Sequence, residues 1–162
     1  MPKRIILGID PGSRVTGYGV IAVDKGKNYY LASGCIRLTS KDWLEKCDAL
    51  YESLQEVIRL YQPTEAAIER IFMYVNPAAA LKLGQARGAA ITALAHHHLV
   101  LSEYTARQVK QAVVGYGAAE KKQVQQMVKV LLALSGTPQV DASDALAIAL
   151  CHAHCFTTKM LS

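Results

Sequence analysis

Two short apolar segments, Arg4 to Asp10 (RIILGID) and Ala66 to Glu69 (AAIE), each run into a carboxylate, and this constrains the chain more than any other feature. Runs of this length read as buried strands, the first ended by the turn-forming Pro11-Gly12. Side chains at such positions emerge at the end of a sheet. Asp10 and Glu69 are thereby set apart from Asp24, Asp42, Glu45, Glu52 and Glu56, which ordinary solvation explains. A third acidic feature, DASDALAIAL, spaces Asp141 and Asp144 three positions apart at the start of an otherwise apolar helix, nearly on one helical face. Capping of free amides accounts for one of that pair and leaves Asp10 and Glu69 unexplained.

The rest of the pattern supplies the scaffold. Thr16 to Asp24 and Tyr29 to Leu38 predict antiparallel strands joined through Lys25-Gly26-Lys27-Asn28. Trp43, Cys47, Leu50, Leu54, Val57 and Tyr61 recur at helical spacing, and Gln62-Pro63 ends that helix. Pro77 to about His97 predicts a helix rich in small residues, and Leu99 to Tyr104 a fifth strand. Helices follow over Thr105 to Val114, Lys121 to Leu134 and Asp141 to Cys155. The expected product is one α/β domain over residues 1–156, a mixed five-stranded sheet flanked by helices, with a short tail at 157–162. Ala79, Gly84, Ala86, Gly88 and Ala90 would let the small-residue helix approach either its own sheet or a second copy closely.

Composition narrows the class. The 162 residues carry a net charge of +5, and the stretch from Arg70 to Lys129 holds eight basic and two acidic residues. A localised basic excess is the footprint of a phosphate-backbone partner. No apolar run reaches the roughly 18 residues of a membrane span, and Asp10 interrupts the apolar start too early for a secretion signal. Cys35, Cys47, Cys151 and Cys155 form no CxxC pair, which favours reduced thiols and a cytoplasmic location over disulfides or structural zinc.

Crowding four carboxylates is costly unless a cation neutralises them. Hard divalent ions with oxygen ligands meet that need, and Mg²⁺, for which Mn²⁺ can substitute, also shares substrate phosphates. A pair of such ions activates water and stabilises the leaving oxygen at a phosphodiester. An acidic pocket beside a basic surface is what a nuclease requires.

Five segments then occur in one order: ILGIDPGSRVTGYGVI, AIE, NPAAALKLGQARGAA, YTARQVKQAVVG with AEKKQVQ, and DASDALAIA. In this the chain resembles the RuvC family of Holliday junction resolvases over essentially its whole length. The resemblance implies a ribonuclease H-like fold and a homodimer that binds four-way junction DNA and receives it from the RuvA-RuvB branch-migration complex. It assigns Asp10, Glu69, Asp141 and Asp144 to catalysis and Mg²⁺ binding, Lys110 and Lys121 to DNA binding and cleavage, and Phe72 to stacking on a base. Lys122 joins the DNA-binding set from charge alone. The products would be two symmetric nicks with 5′-phosphate and 3′-hydroxyl ends. Two other classes compete: an actin-like ATPase, for which one lobe is too few, and a non-cleaving junction-binding protein, for which retention of all four acids has no purpose.

Overall fold

The computed structural model describes residues 3–71 and 76–156, together with the helical backbone of 157–161. The elements are β1 (Arg4–Asp10), β2 (Val15–Asp24), β3 (Lys27–Arg37), α1 (Trp43–Tyr61), β4 (Glu65–Glu69), α2 (Pro77–His96), β5 (Val100–Tyr104), α3 (Ala106–Val114), α4 (Lys121–Leu131) and α5 (Val140–Leu161). The strands pair in the order β3-β2-β1-β4-β5, antiparallel among the first three and parallel from β1 through β4 to β5. This is the expected mixed sheet. The β2–β3 turn is tighter than expected: Lys25 and Gly26, at φ 49° and 78°, make the whole turn, a geometry that matches the twist of the paired strands.

Strand alternation sorts side chains into two layers. Leu7 and Ile9 of β1 and Ala66 and Ile68 of β4 pack under α1 and α2 with Leu50, Leu54, Ile58, Ala90 and Leu94. Ile6 and Ala67 face the other way, into a core made with Val109, Val113, Val124, Val128, Leu146 and Leu150 of α3, α4 and α5. Asp10 and Glu69 have the parity of Ile6 and Ala67, so both project on the α5 side. Parallel pairing of Ile9 with Ile68 sets the two acids level at the same end of the sheet.

The approach of α5 is unusually close. A β-carbon on Gly8 would overlap the carbonyl oxygen of Ala145, and one on Gly17 would overlap the carbonyl oxygen of Asp141. With no side chain between helix and sheet, the first turn of α5 comes down directly beside the end of β1.

Two helix ends differ from expectation. α4 stops at Leu131 rather than Leu134, because Ala133 turns into the left-handed region at φ 51°. The Leu134 amide bonds to the Lys129 carbonyl at 2.9 Å and the Ala133 amide to Val130 at 3.2 Å, a Schellman closure built without glycine. α5 runs on past Cys155 to Leu161, through most of the segment expected as a tail, since nothing in its sequence breaks it.

Replacing Gly17 with Ala should push α5 off the sheet where its first turn begins. Equilibrium urea unfolding is expected to show a loss of about 1–3 kcal/mol, the usual cost of forcing an extra carbon into a packed contact. Unchanged stability would mean that helix and sheet have slack at this point.

Candidate active site

Asp10 leaves the end of β1, Asp141 descends from the first turn of α5 and Asp144 from the start of the next. One carboxylate oxygen from each lies within 4.8 Å of the others, the closest acidic group among the described residues. After Asp10 the chain must turn away to leave this space open. The buried Thr16 hydroxyl arranges that, lying 3.2 Å from both the amide nitrogen and the carbonyl oxygen of Gly12 and folding the 11–14 loop back on itself.

Glu69 stands beside this group of three rather than within it. It lines a cavity with Asp144, Lys110 and Lys121, walled by Ala106, Val109, Val124 and Ile148. Lys121 Nζ is 3.1 Å from Asp144 Oδ2, an ion pair between the first residue of α4 and the N-terminal part of α5 that the sequence pattern does not reveal. Lys110 reaches the cavity from α3. Lys122, the next residue after Lys121, is exposed and does not line it. Phe72 lies outside the described residues.

A second charged group sits at the neighbouring strand end. Glu103 of β5 meets Arg87 of α2 at 2.9 Å and Arg70 at 3.7 Å, while the Arg70 amide bonds to the Tyr104 carbonyl at 2.8 Å. The chain leaving Glu69 is therefore tied to β5 and α2 before it departs. These partners are distant in sequence and follow no motif.

Electrostatics follow from crowding. Burial, and then the negative charges of Asp144, Glu69 and Asp141, push the Asp10 carboxyl up to about 7. Burial and repulsion from Asp144 raise Glu69 as well, offset by Lys121 and Lys110. Burial lifts Asp144 although its bond to Lys121 pulls the other way. Burial should lower the Lys121 ammonium, yet its bond to Asp144 and the nearby Asp10 and Asp141 hold it above its ordinary range. A set of carboxylates that resists ionising together, with only oxygen donors, suits a hard divalent cation.

A pH dependence results. Without a divalent ion, the folded protein holds a proton on Asp10 that the unfolded chain releases near 3.8. The stability tied to that proton is complete below pH 3.8 and is lost as pH rises through about 7. The loss is on the order of a few kcal/mol. Thermal melting in EDTA should therefore show a lower Tm at pH 8 than at pH 5.5. Saturating Mg²⁺ should raise Tm more at pH 8, where it replaces the missing proton. Equal cation effects at the two pH values would remove Asp10 from the binding group.

Comparison with known proteins gives a consistent set of relatives. The family model described as crossover junction endodeoxyribonuclease RuvC matches residues 6–152. A protein of that name from Francisella philomiragia is 57% identical over 150 residues, covering 93% of this chain and 88% of its own. One from Psychromonas ingrahamii is 58% identical over 150 residues, covering 93% and 87%. The solved structure of Thermus thermophilus RuvC in complex with a Holliday junction substrate is similar at TM-score 0.91 and 34% identity over 96% of both chains.

Proposed function

Because the chain belongs to the crossover junction endodeoxyribonuclease RuvC family, we infer that it resolves four-way (Holliday) DNA junctions in recombination and repair. It has the ribonuclease H-like fold and is a hydrolytic, metal-dependent endodeoxyribonuclease. The observation that carries the reading within this chain is the convergence of Asp10, Asp141 and Asp144 on one point, with Glu69, Lys110 and Lys121 around the adjoining cavity.

Asp10, Asp141 and Asp144 would hold the cation, with Mg²⁺ the best match to an all-carboxylate set and Mn²⁺ able to replace it. When bound, the ion polarises the scissile phosphate and makes water a stronger nucleophile. Glu69, raised by burial yet outside the three, would accept the proton that the attacking water loses. The water oxygen bonds to phosphorus as the bond to the 3′ oxygen breaks, leaving a 5′-phosphate and a 3′-hydroxyl. Lys110 and Lys121 would supply positive charge to the phosphate, the exposed Lys122 would add a DNA contact outside the cavity, and the family resemblance gives Phe72 a stacking role on a base. Lys121 also pairs with Asp144, so substrate phosphate and Asp144 compete for one ammonium.

A synthetic mobile four-way junction tests this, with nick positions read on all four strands with and without Mg²⁺. Wild-type protein should give paired symmetric nicks only with the cation. Asp10→Asn and Glu69→Gln should each lower the nicking rate by about 10²-fold or more, within the range of removing one preorganised catalytic group, while junction binding persists. Full activity in both variants would remove these residues from the catalytic assignment.

The reading also calls for a homodimer, since two symmetric nicks need two acidic pockets related by a two-fold axis. Helix α2 divides its small residues between two faces. Ala86 and Ala90 are buried in the core that α2 shares with α1 and the sheet, which takes them out of the self-contact for which they are candidates by sequence. Gly84 and Gly88 have open space around them, and Leu81 beside them is 72% exposed. The face bearing Leu81, Gly84 and Gly88 is therefore the dimer surface we propose. Such a dimer works in the cytoplasm on junctions presented by RuvA-RuvB. Gly88→Leu should shift sedimentation from dimer to monomer and uncouple paired nicking. A dimer that survives the substitution would place the interface elsewhere.

A further inference from the structure

We propose that Tyr116 is a stacking platform for a DNA base beside the cleft, a role that rests on the junction-nuclease reading. Tyr116 lies on the loop between α3 and α4, the two helices that deliver Lys110 and Lys121 to the cavity. Its residue surface is 60% exposed, and it belongs to neither hydrophobic core. Tyr18, Tyr51, Tyr61 and Tyr104, by contrast, all pack against one of the two cores. The Tyr116 ring contributes nothing visible to holding the fold together.

The loop is nonetheless held in place. Gly115 caps α3 at φ 86° with its amide bonded to the Gln111 carbonyl at 2.9 Å, and Gln111 Nε2 returns to the Gly115 carbonyl at 3.1 Å. The Ala119 amide bonds to the Tyr116 carbonyl at 3.1 Å. Gly117 packs so tightly on Arg107 that a β-carbon would lie 3.0 Å from Arg107 Cγ, and Arg107 adjoins Ala106 of the cavity wall. The loop thus folds back on Arg107, next in sequence to Ala106 of the cavity wall, and carries its exposed ring on the connection between the helices of Lys110 and Lys121.

An exposed aromatic on a hydrogen-bonded loop between two helices that each deliver a lysine to the cavity has a matching ligand in a strand whose bases are unstacked. The lysines take the backbone, and the ring covers a base face that would otherwise meet water. A crossover supplies such bases, whereas a continuous duplex keeps them stacked. The ring would therefore favour branched over linear DNA, without reading sequence.

The test uses the full-length protein in EDTA and four-way junctions carrying 2-aminopurine at successive positions around the crossover. Wild-type protein and Tyr116→Phe should quench at least one position equally. Tyr116→Ala and Tyr116→Leu should lose that quench and bind about five- to fifty-fold more weakly. Their salt dependence of binding should match wild type, because a neutral ring releases no counterions. Leucine retains apolar bulk, so its failure isolates the aromatic face, and an unchanged Tm for each variant separates this from misfolding. Wild-type quenching and affinity in Tyr116→Ala would overturn the proposal, as would Tyr116→Phe binding as weakly as Tyr116→Ala. Wild-type protein that binds the junction no better than a duplex would overturn the junction-nuclease reading and this proposal with it.

Discussion

Where Gly8 and Gly17 meet the backbone of α5, no side chain separates helix from sheet, and the depth of the acidic residues follows from that contact. A β-carbon at either position would lift the helix, and Asp141 and Asp144 with it, away from Asp10. Interiors are close-packed and transmit such displacements rather than absorbing them. A cation site tolerates far less movement than a hydrophobic contact does, because its ligands must reach one point. The glycines therefore serve the site more than the fold, since the sheet's own pairing continues on both sides of them.

Bringing the acids together has an electrostatic cost that the fold alone does not offset. Asp10 answers by holding its proton to about 7, and among the described residues one cation, Lys121 against Asp144, is paired directly with the three. The pocket is thus incomplete as a set of charges until a cation joins it. On the proposed junction-nuclease reading the lysines would have a second task, because DNA is itself anionic and must be brought to an acidic pocket. Lys121 on α4 offsets the charge of Asp144 alone, and Lys110 on α3 adds positive charge beside Glu69 in the adjoining cavity. The basic excess between Arg70 and Lys129 extends that field.

Much of this was legible in the chain because its signals are local. Apolar runs ending at Asp10 and Glu69, the helical spacing of Trp43 to Tyr61 and the Asp141-Asp144 pair each state their element directly. What stayed hidden was set by tertiary contact. Ala133 ends α4 in a left-handed turn that no glycine announces, whereas the helical pattern in the sequence runs on to Leu134. Small residues along α2 look alike in sequence, yet Ala86 and Ala90 face inward and Gly84 and Gly88 outward. The four acids read as equals, whereas three cluster and Glu69 stands beside them, because α5 comes down against β1 and β2 at Gly8 and Gly17 while Glu69 ends the next strand, β4. The Lys121 to Asp144 pair joins two helix starts whose docking no local pattern encodes.

The opposite end of α5 is held by different physics. Arg4 forks onto Glu65 at 2.6 and 2.8 Å, Glu65 meets His152 Nε2 at 2.6 Å, and His152 Nδ1 meets the Tyr104 hydroxyl at 2.7 Å. Burial alone would raise the Glu65 carboxyl, but the bonds from Arg4 and His152 hold it below its ordinary range. Arg4 also lies 4.2 Å from the centre of the Phe156 ring. These contacts join β1 and β4 to the helix at the strand ends away from the acids, while Tyr104 reaches His152 from the end of β5 that is level with Glu69. Buried ion pairs of this kind add little net stability but enforce one arrangement of partners. They fix the register of α5 along the sheet, while Gly8 and Gly17 fix its height. With both coordinates determined outside the acidic pocket, the charges in the pocket can change when a cation or phosphate arrives without the helix being released.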